Sequence, residues 1–238
     1  MSKMRYKVKT FATDEIVALA FAAHRHNNGY VKSTVRMSEP DKKTIWSNKE
    51  LVSYTIASES KNKDNAHHVW IPEDFTAIET TDADVNSIET AKNYVKRYLV
   101  GMLSNEITPF QQEVHDALMS TEIPVTKIGL ISYIPELIAK EQAAAALKKQ
   151  LKTDFADSVA LTGKLAGKIE VINCRYVEKH EAHAVMASLG TDLVKFFHKD
   201  PVYAGDTFNI TAKAKDSYPD PRTKCTVTYI NYVKFKKK

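Results

Sequence analysis

DTFNITAKAK (residues 206–215) and TKCTVTYINYVKF (residues 223–235) decide how the last third of this chain folds. In the first stretch, Phe208, Ile210, Ala212 and Ala214 alternate with Asn209, Thr211, Lys213 and Lys215. Alternation with a period of two marks a strand with one buried and one wet face. The second stretch puts Cys225, Val227, Tyr229 and Val233 on one face and Lys224, Thr226, Thr228, Ile230, Tyr232 and Lys234 on the other. Upstream, residues 164–180, 182–189 and 193–198 share the β-branched and aromatic character, with a bend expected near Gly167. Between these runs lie Leu189-Gly190-Thr191-Asp192, the segment 199–206 containing Pro201 and Gly205-Asp206, and Ser217-Tyr218-Pro219-Asp220-Pro221, all with turn chemistry. Five half-buried strands joined this way predict a small β-barrel over residues 161–238.

Helical periodicity takes over upstream. Thr13 or Asp14 caps a helix through His26, closed by Asn27-Asn28-Gly29 in the manner of a left-handed C-cap. A short strand is expected over 30–37 and a helix from Asn48 to about 58, followed by a polar loop over 60–65. Pro72 keeps residues 68–72 extended. Val85, Ile88, Ala91, Val95, Tyr98, Leu99 and Met102 predict one helix over 84–105, and Thr108-Pro109 opens another. A short helix is expected near 127–133, then PELIAKEQAAAALKKQLK as a helix to about 152. The fold class is therefore α+β: an α-rich N-terminal domain over 1–160, then the barrel.

Composition bounds the function. The 238 residues are 43% hydrophobic with 7 Gly and 8 Pro, ordinary for a folded chain. No apolar run reaches the roughly 18 residues a membrane span needs. The N-terminus lacks the apolar core of a signal peptide. Cys174 and Cys225 are too few for a disulfide framework. These readings point to the cytoplasm and away from a membrane. The net charge of +5 is unevenly placed: residues 163–238 hold 14 Lys+Arg against 8 Asp+Glu, whereas residues 1–162 hold 20 against 21. Local positive charge is the footprint expected of a polyanion-binding surface. A merely solvated basic surface with a basic tail, Lys236-Lys237-Lys238, is the bland alternative.

The order of features in the last third resembles an OB-fold. A long first strand is broken by glycine, a hairpin follows, and a Gly-Asp turn precedes the fourth strand. Gly205-Asp206, Ile210-Thr211-Ala212-Lys213-Ala214-Lys215 and Thr226 resemble the pattern in OB-type domains of bacteriophage DNA-metabolism and single-stranded DNA-binding proteins. The resemblance covers about 75 residues by its pattern. It implies an OB-type barrel that binds single-stranded DNA, in replication or recombination, in the host cytoplasm if phage-encoded. OB-folds also bind oligosaccharides and proteins. Bacterial single-strand-binding proteins end in an acidic tail that recruits partners. This sequence has Lys234-Phe235-Lys236-Lys237-Lys238 there, which argues against tail-mediated recruitment and for added phosphate contacts.

Binding a single strand without sequence preference requires cations along a groove and π faces for the bases. The candidates on outward faces are Arg175, Tyr176, Lys179, Lys195, Phe197, Lys213, Lys215, Lys224, Tyr232 and Lys234. Phe208 and Tyr229 alternate with apolar residues and are read as core. Of the adjacent Phe196 and Phe197, one is core and one exposed.

Catalytic and metal signatures are weak. His180 and His183 are three apart, whereas a zincin helix needs HExxH. His24 and His26 cannot share a helix face. His67-His68 lacks a second ligand pair, and neither cysteine belongs to a CxxC. There is no Walker loop, GxGxxG or GxSxG. Pro219-Asp220 with Lys224 only faintly matches a nuclease PD…K arrangement and reads better as a turn. No cofactor, metal or catalytic residue is expected. The leading expectation is a non-enzymatic nucleic-acid-binding protein, with DNA favoured over RNA. The helical domain, including helix 135–152, would serve a protein partner or a homo-oligomer. The alternatives are a protein-interaction scaffold that docks through the barrel, and an enzyme with a site between the first helix and His67-His68.

Overall fold

The computed structural model describes residues 9–37, 43–60, 71–104, 106–221 and 223–235. The expectations for 61–65, for 68–70 including His68, for His67 and for the lysines 236–238 fall outside the described residues. The chain divides into two compact units, Met1–Glu141 and Gln142–Lys238.

The first unit contains β1 (Thr10–Ala12), α1 (Thr13–His26), β2 (Val35–Arg36), β3 (Thr44–Ile45), α2 (Asn48–Ser60), α3 (Asp82–Lys96), α4 (Tyr98–Leu103), α5 (Pro109–Met119), β4 (Glu122–Pro124) and α6 (Ile128–Ile131), and the start of α7 (Ile134–Asp154). Ile16, Val17, Leu19, Ala20, Ala22 and Ala23 bury α1 nearly all round, which makes it the unit's central helix. Acidic Asp14 and Glu15 sit in its first turn, and His24, Arg25 and His26 in its last, as the helix dipole favours. Asn28 takes a left-handed φ of 51° and the Gly29 N–H donates to the His24 carbonyl at 2.8 Å, closing the helix as the sequence predicts. Capping boxes start α3 (Thr81 with Asp84) and α5 (Thr108 with Gln111).

Two local expectations change here. The strand expected over 30–37 shrinks to β2. Val31 is occupied elsewhere: its N–H donates to the Asn48 side chain at 2.8 Å, and its carbonyl accepts from the Asn48 N–H at 3.0 Å. The single helix expected over 84–105 breaks at Arg97 into α3 and α4, with the Arg97 guanidinium 3.7 Å from the centre of the Tyr94 ring.

The second unit is the barrel. β5 (Lys164–Val177), β6 (Ala182–Leu189), β7 (Asp192–His198), β8 (Thr207–Pro219) and β9 (Thr226–Phe235) close in the order β5-β6-β7-β9-β8. All pairs are antiparallel except β7 with β9, which run parallel. This is an OB-type barrel. β5 serves both sides of it: its first half pairs with β8 and its second with β6, and Ile169 pairs with both. Two features let it curl. A Cβ on Gly167 would lie 2.8 Å from a Leu189 methyl, and Ile172 is an extra residue between Val171 and Asn173. Gly190 (φ 64°) opens the tight β6–β7 turn in the type II′ manner. The Gly205-Asp206 turn binds back onto β5, with the Gly205 N–H donating to the Val171 carbonyl and the Val171 N–H to the Asp206 carbonyl, both at 2.8 Å.

Ile169, Val171, Val185, Ala187, Val194, Phe196, Ile210, Ala212 and Ile230 fill the barrel, and Val202 joins them from the β7–β8 connection. A second cluster lies outside the barrel wall. Leu147 and Leu151 of α7 pack with Leu193, Cys225, Val227, Ile172 and Met186. This explains why the division falls between Glu141 and Gln142, earlier than the expected 160: the end of α7 belongs to the barrel.

Two strand expectations are corrected. Residues 217–219 are strand, not turn: Ser217, Tyr218 and Pro219 pair with Thr228, Val227 and Thr226. The turn is Asp220 to Cys225, where the Asp220 Oδ1 accepts from the Thr223 N–H and hydroxyl. The faces of β9 also change partway. Ile230 points into the core, yet beyond Tyr232 it is Val233 and Phe235 that pack there. Val233 therefore does not share a face with Val227 and Tyr229, nor Tyr232 with Ile230. The cause is a bulge: Lys213 faces Asn231 and Thr211 faces Lys234, so β9 has one residue more than β8 in that interval.

Candidate nucleic-acid interface

The ten candidate residues divide between two faces of the barrel rather than lining one groove. Arg175, Lys179, Lys195 and Phe197 belong to the β5–β6–β7 side, and Tyr176 to the rim of the barrel. Lys213, Lys215, Tyr232 and Lys234 belong to the β8–β9 side. Lys224 stands apart, exposed in the β8–β9 turn with φ 66°.

Register fixes the first face. Arg175, Ala184 and Phe197 form one outward row across β5, β6 and β7, and Asn173, Met186, Lys195 and Tyr229 form the next. The adjacent phenylalanines resolve: Phe196 is core at 1% exposure and Phe197 is outward at 39%. Ala184 between Arg175 and Phe197 leaves a shallow floor, because its side chain ends at Cβ. Lys179 is exposed in the single 3₁₀ turn Glu178–His180. From that turn the His180 ring lies 4.8 Å from Phe197, and Tyr229 lies 6.1 Å from Phe197 on the other side. Burial, with the nearby Tyr218, pushes the Tyr229 phenol up, so it stays a neutral ring. Lower on the same face, Met186, Leu193 and Val227 are covered by α7, so the open surface is the end nearest the β5–β6 turn.

Tyr176 does not share this face. It pairs with His183, whose parity is that of the inward Val185, and the two rings lie 5.2 Å apart at the barrel rim. His198, opposite His183, rests on Phe235 at 4.6 Å. Phe208 packs on the core through Phe235 at 4.7 Å, as expected, but Tyr229 is outward rather than core. His180 and Tyr229 are the members that sequence reasoning missed. The only available signal for Tyr229 was its parallel pairing with Lys195, and the chain's local pattern does not reveal it.

The electrostatics of the two units differ. In the first unit Arg25, Lys92, Lys96, Arg97, Lys127 and Lys140 pair with Asp84, Asp14, Glu89, Glu141, Glu113 and Glu136. Among the described residues, no lysine or arginine of the barrel has an ion-pair partner. Several of the barrel's acids also accept from the backbone. Asp192 accepts from the Val159 N–H, Asp206 from the Tyr203 N–H and Asp220 from the Thr223 N–H.

Other candidate chemistry disperses. His180 faces Phe197 and His183 faces Tyr176, so they do not converge, and among the described residues no group of three His, Cys, Asp or Glu could hold a metal ion. His24 pairs with Glu136 at 3.1 Å. Asp220 and Lys224 are joined within one turn, with the Lys224 N–H donating to the Asp220 carbonyl at 2.8 Å. A cavity of about 300 Å³ near the end of α1 is lined by Arg25, His26, Glu79 and Thr81. Its convergent cation is committed: Arg25 donates to Asp84 at 2.8 Å and to the Glu79 carbonyl at 3.0 Å. A groove of about 500 Å³ beside α5 is lined by Glu113, Asp116, Glu122 and Lys127, with Lys127 paired to Glu113. Among the described residues no helix is long and apolar enough to cross a membrane.

Comparison of the chain with protein-family models, curated proteins and solved structures finds no match.

Proposed function

We propose that this protein binds single-stranded nucleic acid through its barrel, without catalysis. The observation that carries the reading is the row Arg175–Ala184–Phe197 with Lys195 and Tyr229 beside it: the exposed Phe197 ring and the half-buried Tyr229 among cations that have no acidic partner among the described residues. Phe197 supplies a ring for a base to stack on, and Arg175, Lys179 and Lys195 supply charge for the phosphates on either side. OB-type barrels bind oligonucleotides on the face of their second and third strands, here β6 and β7, beside the loop that joins the first two. The likeness to phage DNA-metabolism domains favours DNA over RNA and a role in replication or recombination. The first unit would then serve a partner or a second copy, in the cytoplasm of the producing cell.

The test is a fluorescence-anisotropy titration of the full chain with an unstructured oligonucleotide. Binding is expected at low salt, falling steeply as salt rises because phosphate counterions are released. Absence of binding at low salt overturns the reading.

A further inference from the structure

Tyr232 holds a backbone conformation that costs a tyrosine energy, and its side chain gives the fold nothing in return. Its φ is +55°, in the left-handed region where a Cβ is crowded. It lies in the β9 bulge between Asn231 and Lys234. The bulge itself matters to the fold, because it turns Val233 and Phe235 into the core, where Phe235 meets Phe208 and Phe196. Left-handed bulge positions are usually glycine, which does that work without strain. The tyrosine ring is not used for packing: the residue is 78% exposed, and among the described residues its side chain has no ring contact and no hydrogen bond.

The surroundings are cationic. Lys164, Lys213 and Asn231 form one outward row across β5, β8 and β9, and Ala166, Thr211 and Lys234 form the next. Adjacent strands lie about 4.8 Å apart and these rows about 7 Å apart, so Tyr232 stands within one nucleotide's reach of all three lysines. Lys164 and Lys213 face each other directly, an arrangement that costs stability in the free protein. None of the three has an acidic partner among the described residues. Backbone strain kept at an exposed residue is a mark of functional sites, and the repulsion of the opposed lysines is what a bound polyanion would relieve.

We propose that Tyr232, with Lys164, Lys213 and Lys234, is a second subsite for single-stranded nucleic acid, separate from the β6–β7 face. The ring stacks on one unpaired base and the lysines take the flanking phosphates. A duplex does not fit this chemistry, because its bases already stack on each other and offer the ring nothing. The inference rests on the reading that the barrel binds single strands, and extends the bound strand onto the β8–β9 face.

The experiment compares the full chain with its Tyr232→Gly, Tyr232→Phe and Phe197→Leu variants, measuring oligothymidine affinity by anisotropy and melting temperature by circular dichroism. Tyr232→Gly is expected to bind roughly five- to a hundredfold more weakly. Its melting temperature is expected to stay level or rise, because glycine accepts the positive φ. Tyr232→Phe should bind like wild type. Wild-type affinity in Tyr232→Gly overturns the subsite, and so does a fall in its melting temperature, which would make the ring structural. If Phe197→Leu weakens binding while Tyr232→Gly does not, the functional reading stands and the second subsite falls. If the wild type itself does not bind, the functional reading fails and takes the subsite with it.

Discussion

His180 rests against Phe197 with their ring centroids 4.8 Å apart, tying the β5–β6 turn to the exposed face of β7. The contact holds the Phe197 ring beside the turn that carries Lys179, where a base could stack and its phosphate be met. Phe197→Leu keeps apolar bulk and removes the π face. It should weaken single-strand binding by about 1–3 kcal/mol while moving fold stability by about 1 kcal/mol or less. Anisotropy and urea unfolding on the same preparation separate the two. A stability loss as large as the affinity loss would make Phe197 a packing residue.

Arg175 and Lys195 stand on neighbouring outward rows, and among the described residues neither has an acidic partner, so each is available to a phosphate. Each should contribute about 0.7 to the slope of log affinity against log salt for a single strand. The Arg175→Gln and Lys195→Gln variants should each lower that slope by about this amount. Lys148→Gln, on the exposed part of α7, should leave it unchanged. Equal slopes in all the proteins would remove these two residues from the interface.

Much of the fold was legible, for local reasons. α1 has a full apolar surface, charges suited to its dipole and an Asn-Gly stop, all within one segment. β6 begins and ends where its alternation does, at Ala182 and Leu189. What was hidden depends on partners distant in sequence. The face switch at Tyr232 arises from the β8–β9 register, and a tyrosine carries no signal for positive φ. Alternation separates inward from outward, which placed Arg175 and Lys213 correctly. It cannot say on which side of a closed barrel an outward residue falls, so the candidates spread over two faces. The exposed alanines of α7 likewise carry no mark of the unit boundary beside them.

Gly167 and Leu189 meet where β5 curls between its two partner strands, and an added Cβ would sit 2.8 Å from the Leu189 Cδ1. That methyl ends a flexible side chain, so the clash is relieved by moving Leu189 rather than the backbone. Gly167→Ala should cost about 1–2 kcal/mol, at the modest end of overpacking. Leu189→Val shortens the offending side chain, so the double variant should lose less stability than the two single changes together. Urea unfolding of the four proteins gives the coupling directly, and strict additivity would show that the contact does not restrict Gly167.

Asp84 is 4% exposed and accepts from Arg25 at 2.8 Å and from the Thr81 N–H at 2.9 Å. Burial alone pushes its carboxyl up, but the hydrogen bonds from Arg25 and Thr81 outweigh this and hold it below the usual carboxylate range. Because the folded value lies below the unfolded one, the group's contribution is fully present above the unfolded value, about 3.9. It is lost as pH falls through the folded value. Stability of the first unit should therefore decline below about pH 4. Arg25 is half exposed, so solvent screens the pair and the effect is modest. Asp84→Asn should cost about 1–2 kcal/mol at pH 7, through the weakened capping box, and clearly less at pH 2, where the wild-type carboxyl is itself protonated. Urea unfolding of both proteins at the two pH values measures this. An equal loss at both would show that the charge of Asp84 contributes nothing and only its shape matters.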